Sequence, residues 1–262
     1  MSEVRVVSLA SGSSGNALLI DAGHTRLLID AGISARRIEQ ALARLGVRAA
    51  TLDGVLVTHE HVDHVSGLPV LARRHRLTVH LTPGTARALP GMAALSHRLV
   101  GRGTTFDVGR ATVTAVPVRH DGADPVGFVV EVGGVTIAVF TDLGCPETHL
   151  HEPLRRADLI VLEANHDLDR LWSGRYPWHL KQRVASATGH LCNEDCGALL
   201  AGAVADERPR TVWLAHLSQE NNEPAIAYAT VSALVAGRRL DLHVLPRHDP
   251  GPVWRWGNGA AG

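Results

Sequence analysis

The sequence predicts an α/β protein in which two strand-rich halves are each covered by helices. Short apolar runs of strand length recur in both halves, and amphipathic stretches with capping residues lie between them. The chain's 262 residues, 45% apolar and 20% charged, suffice to bury a sizeable core. No Pro/Ser-rich linker invites a cut, so residues 1–262 read as one domain.

In chain order, Val4 to Leu9, Ala17 to Asp21 and Thr25 to Asp30 read as strands. Two near-copies, Leu18-Leu19-Ile20-Asp21-Ala22-Gly23 and Leu27-Leu28-Ile29-Asp30-Ala31-Gly32, flank His24-Thr25 like the arms of a hairpin. Ser34 caps a helix with Ile38, Ala41, Leu42 and Leu45 on one face, and Gly46 ends it. A strand over 52–58 leads into a histidine cluster, and a helix follows across Leu68 to Arg74, with Arg73-Arg74-His75-Arg76 its solvated end. Ala111 to Val118 is a strand, and Gly127 to Val132 and Val135 to Thr141 form a hairpin about Gly133-Gly134. Asp158 to Glu163 and Thr211 to Ala215 are buried strands, and helices fill 146–156, 194–205 and 223–236. The tail 250–262 is rich in Gly and Pro and prone to fray, although Trp254 and Trp256 favour its docking.

Composition sets bounds on function. Formal net charge is +0, so any polyanion must be met by a local basic patch rather than a global field. Three cysteines, Cys145, Cys192 and Cys196, are too few and too irregular for a disulfide framework and fit a reducing compartment. Cys192 and Cys196 read as small buried residues one helical turn apart. The start, Met1-Ser2-Glu3-Val4-Arg5, lacks a basic stretch followed by a long apolar core, and no apolar run approaches the ~20 residues that span a bilayer. The expectation is a cytoplasmic protein with no membrane partner.

The densest chemical signal is His59-Glu60-His61-Val62-Asp63-His64, three imidazoles and a carboxylate in six positions. Imidazole nitrogen and carboxylate oxygen are the usual protein ligands of zinc and similar ions. In an extended or turning chain residues 59 and 61 point the same way, and a following bend lets 63 and 64 reach a second ion. Three further strands end in donors: 111–118 near His120, 135–141 in Asp142 and 211–215 in His216. Functional groups of α/β sheets collect where strands hand over to loops.

With these residues in place, the chain resembles the metallo-β-lactamase-fold hydrolases with the HxHxDH signature, over its whole length. The 22-residue step from His120 to Asp142 is similar to that of the nuclease branch. Ser11-Gly12-Ser13-Ser14-Gly15-Asn16, Glu163-Ala164-Asn165-His166-Asp167, Gly189-His190-Leu191 and His216-Leu217-Ser218-Gln219-Glu220-Asn221-Asn222 resemble the YycJ/WalJ exonuclease subfamily. Cys192 departs from it, standing where a serine is expected. The resemblance implies an αββα sandwich of two mixed sheets flanked by helices (α+β in some schemes). It implies two divalent ions, zinc or manganese: His59, His61 and His120 on one, Asp63, His64 and His216 on the other, and Asp142 bridging. It further implies a two-metal 5′-to-3′ exonuclease on nucleic acid, DNA ahead of RNA. Ions about 3.5–4 Å apart can share a hydroxide and clamp an in-line displacement.

Further candidates surround that set. Asp63 could take a proton. His190 could bind phosphate or protonate a leaving oxygen, or instead support a ligand. His166 and Asp167 could contact substrate or orient ligands, and the amides of the Asn16 loop could bind an anion or form a plain turn. Ser218 and Asn222 flank His216, and a helix cap is the alternative for Asn222. Segment 170–183 interleaves Arg170, Arg175, Lys181 and Arg183 with Trp172, Tyr176 and Trp178, which suits a nucleic-acid strand as well as a solvated loop. Competing readings are a small-molecule hydrolase (lactonase, thioesterase or β-lactamase-like), a ribonuclease, a diiron redox enzyme, disfavoured by His61, and a binding protein on a retained fold.

Overall fold

The computed structural model describes residues 3–206, 208–248 and 250–257. Its strands make two mixed sheets of seven, flanked by helices, as the resemblance implies. The chain divides into two compact units interleaved in sequence: 1–117, 122–135 and 246–262 form one, 118–121 and 136–245 the other.

In the first unit, β1 (Val4–Ala10), β2 (Ala17–Asp21) and β3 (Arg26–Ile29) run antiparallel. The two near-copies pair as expected, Leu18 opposite Ile29 and Asp21 opposite Arg26. Helix α1 (Ala35–Arg44) starts at Ser34, whose side chain accepts from Arg37 N, and turns off at Gly46 with φ 73°. Parallel β4 (Gly54–Leu56), short α2 (Val62–Val65), α3 (Leu68–His75), β5 (Val79–Leu81), α4 (Pro83–Ala88) and β6 (His97–Leu99) follow. Ile38 and Leu42 of α1 and Leu68 and Leu71 of α3 cover Val7, Leu19, Leu28, Val55 and Val79 in one apolar core. The end of α3 is solvated as expected, with Arg74 and His75 both on Glu39. Antiparallel β7 (Thr105–Val108), β8 (Ala111–Pro117) and β9 (Val126–Val132) are this unit's share of the second sheet.

The second unit carries parallel strands. These are β10 (Val135–Phe140), β11 (Leu159–Glu163), β12 (Arg210–Ala215) and β13 (Leu240–Val244), with α5 (His151–Arg156), α6 (Leu168–Ser173), α7 (Trp178–Val184), α8 (Asn193–Ala203) and α9 (Pro224–Leu234) between them. The unbroken apolar run of β11 is buried throughout, the mark of a strand covered on both faces. Cys192 and Cys196 are buried and free, and Cys192 caps α8 by accepting from Asp195 N at 3.4 Å, the position a serine normally fills. The chain then returns to the first unit, where β14 (Val253–Trp256) pairs antiparallel with β1. The docked half of the expected tail is therefore a strand, and residues 258–262 lie outside those described.

The strands expected to end at Asp30, Thr58, Val118 and Thr141 stop one or two residues early. The strand expected over 52–58 ends at Leu56, because Thr58 N donates to the Asp30 carboxylate at 2.9 Å instead of to a ladder. Asp30, Asp142 and His216 leave their strands with φ of 60°, 60° and 56°. Gly32 fits a gap no larger residue could enter: a Cβ there would lie 1.7 Å from Asp63 O and 2.6 Å from Asn16 N. Gly32→Ala is expected to cost about 3 kcal/mol or more and to lower the melting temperature by roughly 6–12 °C, read by differential scanning fluorimetry. An unchanged melting temperature would refute this fit.

Candidate metal centre

The first unit contributes the histidine loop. His59 and His64 are buried, His61 and Asp63 half-buried. Asp30 organises this loop from beneath. Its Oδ1 accepts Thr58 N, its Oδ2 accepts Thr58 Oγ1 at 2.9 Å, and the same oxygen meets His64 Nδ1 at 2.7 Å. Thr58 Oγ1 in turn lies 3.0 Å from His59 Nδ1. Both rings are thereby fixed through Nδ1, which directs Nε2 outward, the arrangement common to metal-ligating histidines. Ring centroids stand 4.5 Å apart for His59 and His61 and 4.2 Å for His59 and His64.

Asn16 takes a different role from the expected anion site. Its N donates to Asp63 O at 2.8 Å, its Oδ1 accepts Gly12 N at 2.9 Å, and its Nδ2 sits 3.1 Å from His64 Nε2. Gly15 N is spent on Gly12 O. The amides of Gly12, Gly15 and Asn16 are thus engaged within the protein, and Asn16 positions Asp63 and His64.

The second unit contributes His120, Asp142, Glu163, His190 and His216. Glu163 is wholly buried at the end of β11 and plays the part that Asp30 plays in the first unit. Its Oε1 meets His190 Nδ1 at 2.8 Å and His216 Nδ1 at 2.9 Å. Its Oε2 accepts Leu143 N at 2.6 Å and Leu191 N at 3.1 Å. Burial would raise this carboxyl, yet the charge of His190 and the hydrogen bonds from His190 and His216 hold it down at about 2. His120 is fixed through Nδ1 on Gly189 O at 2.9 Å, and burial pushes its imidazole below its ordinary value. His190 lies beside two of these rings, 5.1 Å from His120 and 5.3 Å from His216.

Donor spacing tests whether these residues suit a metal. Two ligands of a tetrahedral ion with bonds near 2.1 Å stand about 3.4 Å apart. His120 Nε2 and Asp142 Oδ1 are 3.6 Å apart, and Asp63 Oδ2 and His64 Nε2 are 3.7 Å apart. In the second unit the Nδ1 atoms of His190 and His216, both held by Glu163, lie 3.5 and 3.6 Å from Asp142 Oδ1, so Glu163 and His190 frame Asp142 rather than add donors to it. Imidazole and carboxylate at such spacing fit a divalent ion.

Most of the expected substrate contacts are built into the fold instead. His166 is buried against a β-bridge to Cys192, and burial pushes its imidazole down to about 4, so it stays neutral. Asp167 caps α6 through Arg170 N at 2.9 Å. Lys181 is buried with Nζ on Trp172 O at 2.6 Å. Ser218 Oγ accepts Asn221 N, and Asn222 is buried between Ala164 O and Asn193. Buried polar groups must find partners, and these find them within the chain. Arg175 remains exposed. Sequence reasoning missed Asp30 and Glu163 as site residues, although both are acids at the end of an apolar strand run.

This fold and donor set define a metallo-β-lactamase-type hydrolase. Residues 25–217 match the β-lactamase superfamily domain. Exodeoxyribonuclease YycJ of Bacillus anthracis is 36% identical over 247 residues, covering 90% of this chain and 92% of its own. Exodeoxyribonuclease WalJ of Streptococcus pneumoniae serotype 2 is 34% identical over 242 residues, 90% of each chain. The fold also matches the metallo-β-lactamase fold protein YhfI from Bacillus subtilis, with a TM-score of 0.73 at 16% identity, over 98% of this chain and 100% of that one. The chain belongs to the β-lactamase superfamily and, within it, to the YycJ/WalJ-like subfamily.

Asp30→Asn and Glu163→Gln are each expected to weaken binding of zinc or manganese about 10- to 100-fold, by loosening the rings they orient. Competition with a chromophoric chelator measures this, and wild-type affinity in both variants would show that the carboxylates do not orient ligands.

Proposed function

We propose that the chain is a two-metal phosphodiesterase that degrades DNA from 5′ to 3′ in the cytoplasm, its two units acting as one catalytic domain. The observation that carries the reading is Glu163. This one carboxylate holds both His216, a proposed ligand, and His190, whose side chain keeps 16% exposure. An imidazole outside the ligand set, fixed in the same frame as a ligand, is what an alkoxide leaving group needs. Further support comes from the two exodeoxyribonuclease relatives, which match over nine-tenths of the chain. The chain crosses between the units four times, and the crossings at 117/118 and 121/122 bracket His120, which ties the two ligand sets together in sequence. Among the described residues no helix is long and apolar enough to cross a membrane.

In this reading His59, His61 and His120 would hold one ion and Asp63, His64 and His216 the other, with Asp142 available to both. When bound, such ions would supply Lewis acidity towards water and positive charge beside the phosphate. Asp63 accepts the proton of the attacking water. His190, with Nδ1 committed to Glu163, gives a proton from Nε2 to the departing sugar oxygen. Asp30, Thr58 and Asn16 keep the histidine loop in register.

Duplex DNA labelled at its 5′ ends, incubated with manganese, is expected to release labelled mononucleotide from the first time points, while a 3′ label stays in long fragments. His61→Ala and Asp142→Ala are expected to lower the rate by at least about 100-fold, beyond the loss from an orienting residue. Intact DNA with wild type, or undiminished cleavage by both variants, overturns the proposal. His190→Ala is expected to lower kcat on DNA by about 10²–10⁴. It should have much less effect on bis-p-nitrophenyl phosphate, whose nitrophenolate leaves without a proton. Equal losses on the two substrates would remove the acid role.

A further inference from the structure

The hairpin of α6 and α7 carries a feature that hydrolysis alone does not use. Trp172 and Trp178 are 41% and 65% exposed, with ring centroids 5.4 Å apart and planes inclined at 44°. Exposing so much aromatic surface is unfavourable unless something covers it. The hairpin that presents the pair is rigid. Asp167 caps α6, Arg170 pairs with Glu223 at 2.7 Å, and Lys181 Nζ clasps the Trp172 carbonyl across the two helices. A Cβ at Gly174, in the turn, would lie 2.5 Å from Arg170 O.

We infer that Trp172 and Trp178 form a stacking platform for unpaired nucleobases of the DNA strand being degraded. This rests on the nuclease reading above. Of the basic groups in 168–184, Arg170 and Arg183 are paired with Glu223 and Asp121 and Lys181 is buried, so the exposed Arg175, in the turn between the helices, is the cation offered beside the rings. Aromatic faces beside basic groups bind single strands without sequence preference. The hairpin also runs directly into the proposed acid. His190 N donates to Val184 O at 2.9 Å, at the end of α7. Arg183 Nε binds Asp121 at 2.7 Å, and the other oxygen of Asp121 lies 3.3 Å from His120 Nε2. From Trp178 to Val184 the helix rises about 9 Å. Stacked bases rise about 3.4 Å each, so the helix has the length of about two to three stacked bases. Rings inclined to one another meet successive bases rather than the two faces of one.

The test uses the full chain with manganese and three substrates: a single-stranded oligonucleotide, the same oligonucleotide with abasic sites throughout the first five nucleotides, and bis-p-nitrophenyl phosphate. Trp172→Ala and Trp178→Ala are each expected to raise KM for the single strand about 5- to 100-fold, and Trp→Phe at either position to restore most of it. Turnover of bis-p-nitrophenyl phosphate should not change, which also reports that the variants are folded. Wild type should lose a similar factor on the abasic strand, and the alanine variants should lose no more there. Wild-type KM on DNA in both alanine variants, or indifference of wild type to missing bases, overturns the platform and leaves the nuclease standing. A wild type that spares DNA but hydrolyses bis-p-nitrophenyl phosphate overturns the nuclease reading, and the platform with it.

Discussion

Two buried carboxylates set the geometry on which the candidate site depends. Asp30 and Glu163 lie almost wholly inside the protein, where an unpaired charge would be very costly. Each is stabilised by accepting backbone N–H groups and by meeting imidazole Nδ1 atoms. The same contacts that make the charges tolerable fix the rotation of His64, His190 and His216. Neutralising either acid therefore removes the reason for a local backbone path and for a ring orientation at once. The two acids belong to different units and different sheets, yet they solve one problem in one way.

Backbone geometry follows from this. Asp30, Asp142 and His216 each occupy the left-handed region that non-glycine residues seldom adopt, and each stands just beyond a strand. Such conformations cost of order 1–3 kcal/mol and persist only when the surroundings over-determine them. Here the surroundings are hydrogen bonds to the side chains themselves and glycines that permit close approach. Beyond the Gly32 contact with Asp63, a Cβ on Gly144 would meet Ala187 O at 2.2 Å, and one on Gly189 would meet Arg183 O at 2.2 Å. The sharp turns bring the donors off the strand ends without a long loop, so little conformational freedom is left in them.

The two-sheet class, the hairpin of near-copies, α1 with its serine cap and the long apolar strands were legible in the sequence, because burial imposes periodicity and turns impose glycine. The histidines and acids at strand ends also stood out in the sequence, because they recur where strands hand over to loops. The short strands β5, β6, β7 and β13 were not. His97–Leu99 is exposed along its length and shows no apolar pattern at all. The roles of Asp30 and Glu163 were hidden for another reason. An acid at the end of an apolar run looks the same whether it holds a histidine from below or turns to solvent, and only the fold brings Glu163 to His190 and His216 across 27 and 53 residues. The substrate residues were the least legible. His166, Lys181 and Asn222 have the chemistry of phosphate or base contacts, and tertiary packing spends that chemistry internally.

That division separates catalysis from selection. Most of the groups that would hold ions are buried and tethered, so they can vary little in position from one substrate to another. A phosphodiester offers the same reacting atoms in every nucleic acid, and a fixed frame suits it. Discrimination between a single strand, a duplex and a small diester must then come from surface that the frame does not constrain. In the second unit the surface we propose for this is the short hairpin of α6 and α7. It is rigid in its own hydrogen bonds, exposed in its aromatic side chains, and connected to the buried centre through Arg183, Asp121 and the loop that bears His190. On the proposed reading, a base held there would transmit position to the scissile bond through two hydrogen-bonded links rather than through a flexible loop. Binding remote from the reacting atoms can in this way set where the strand is cut without altering how it is cut.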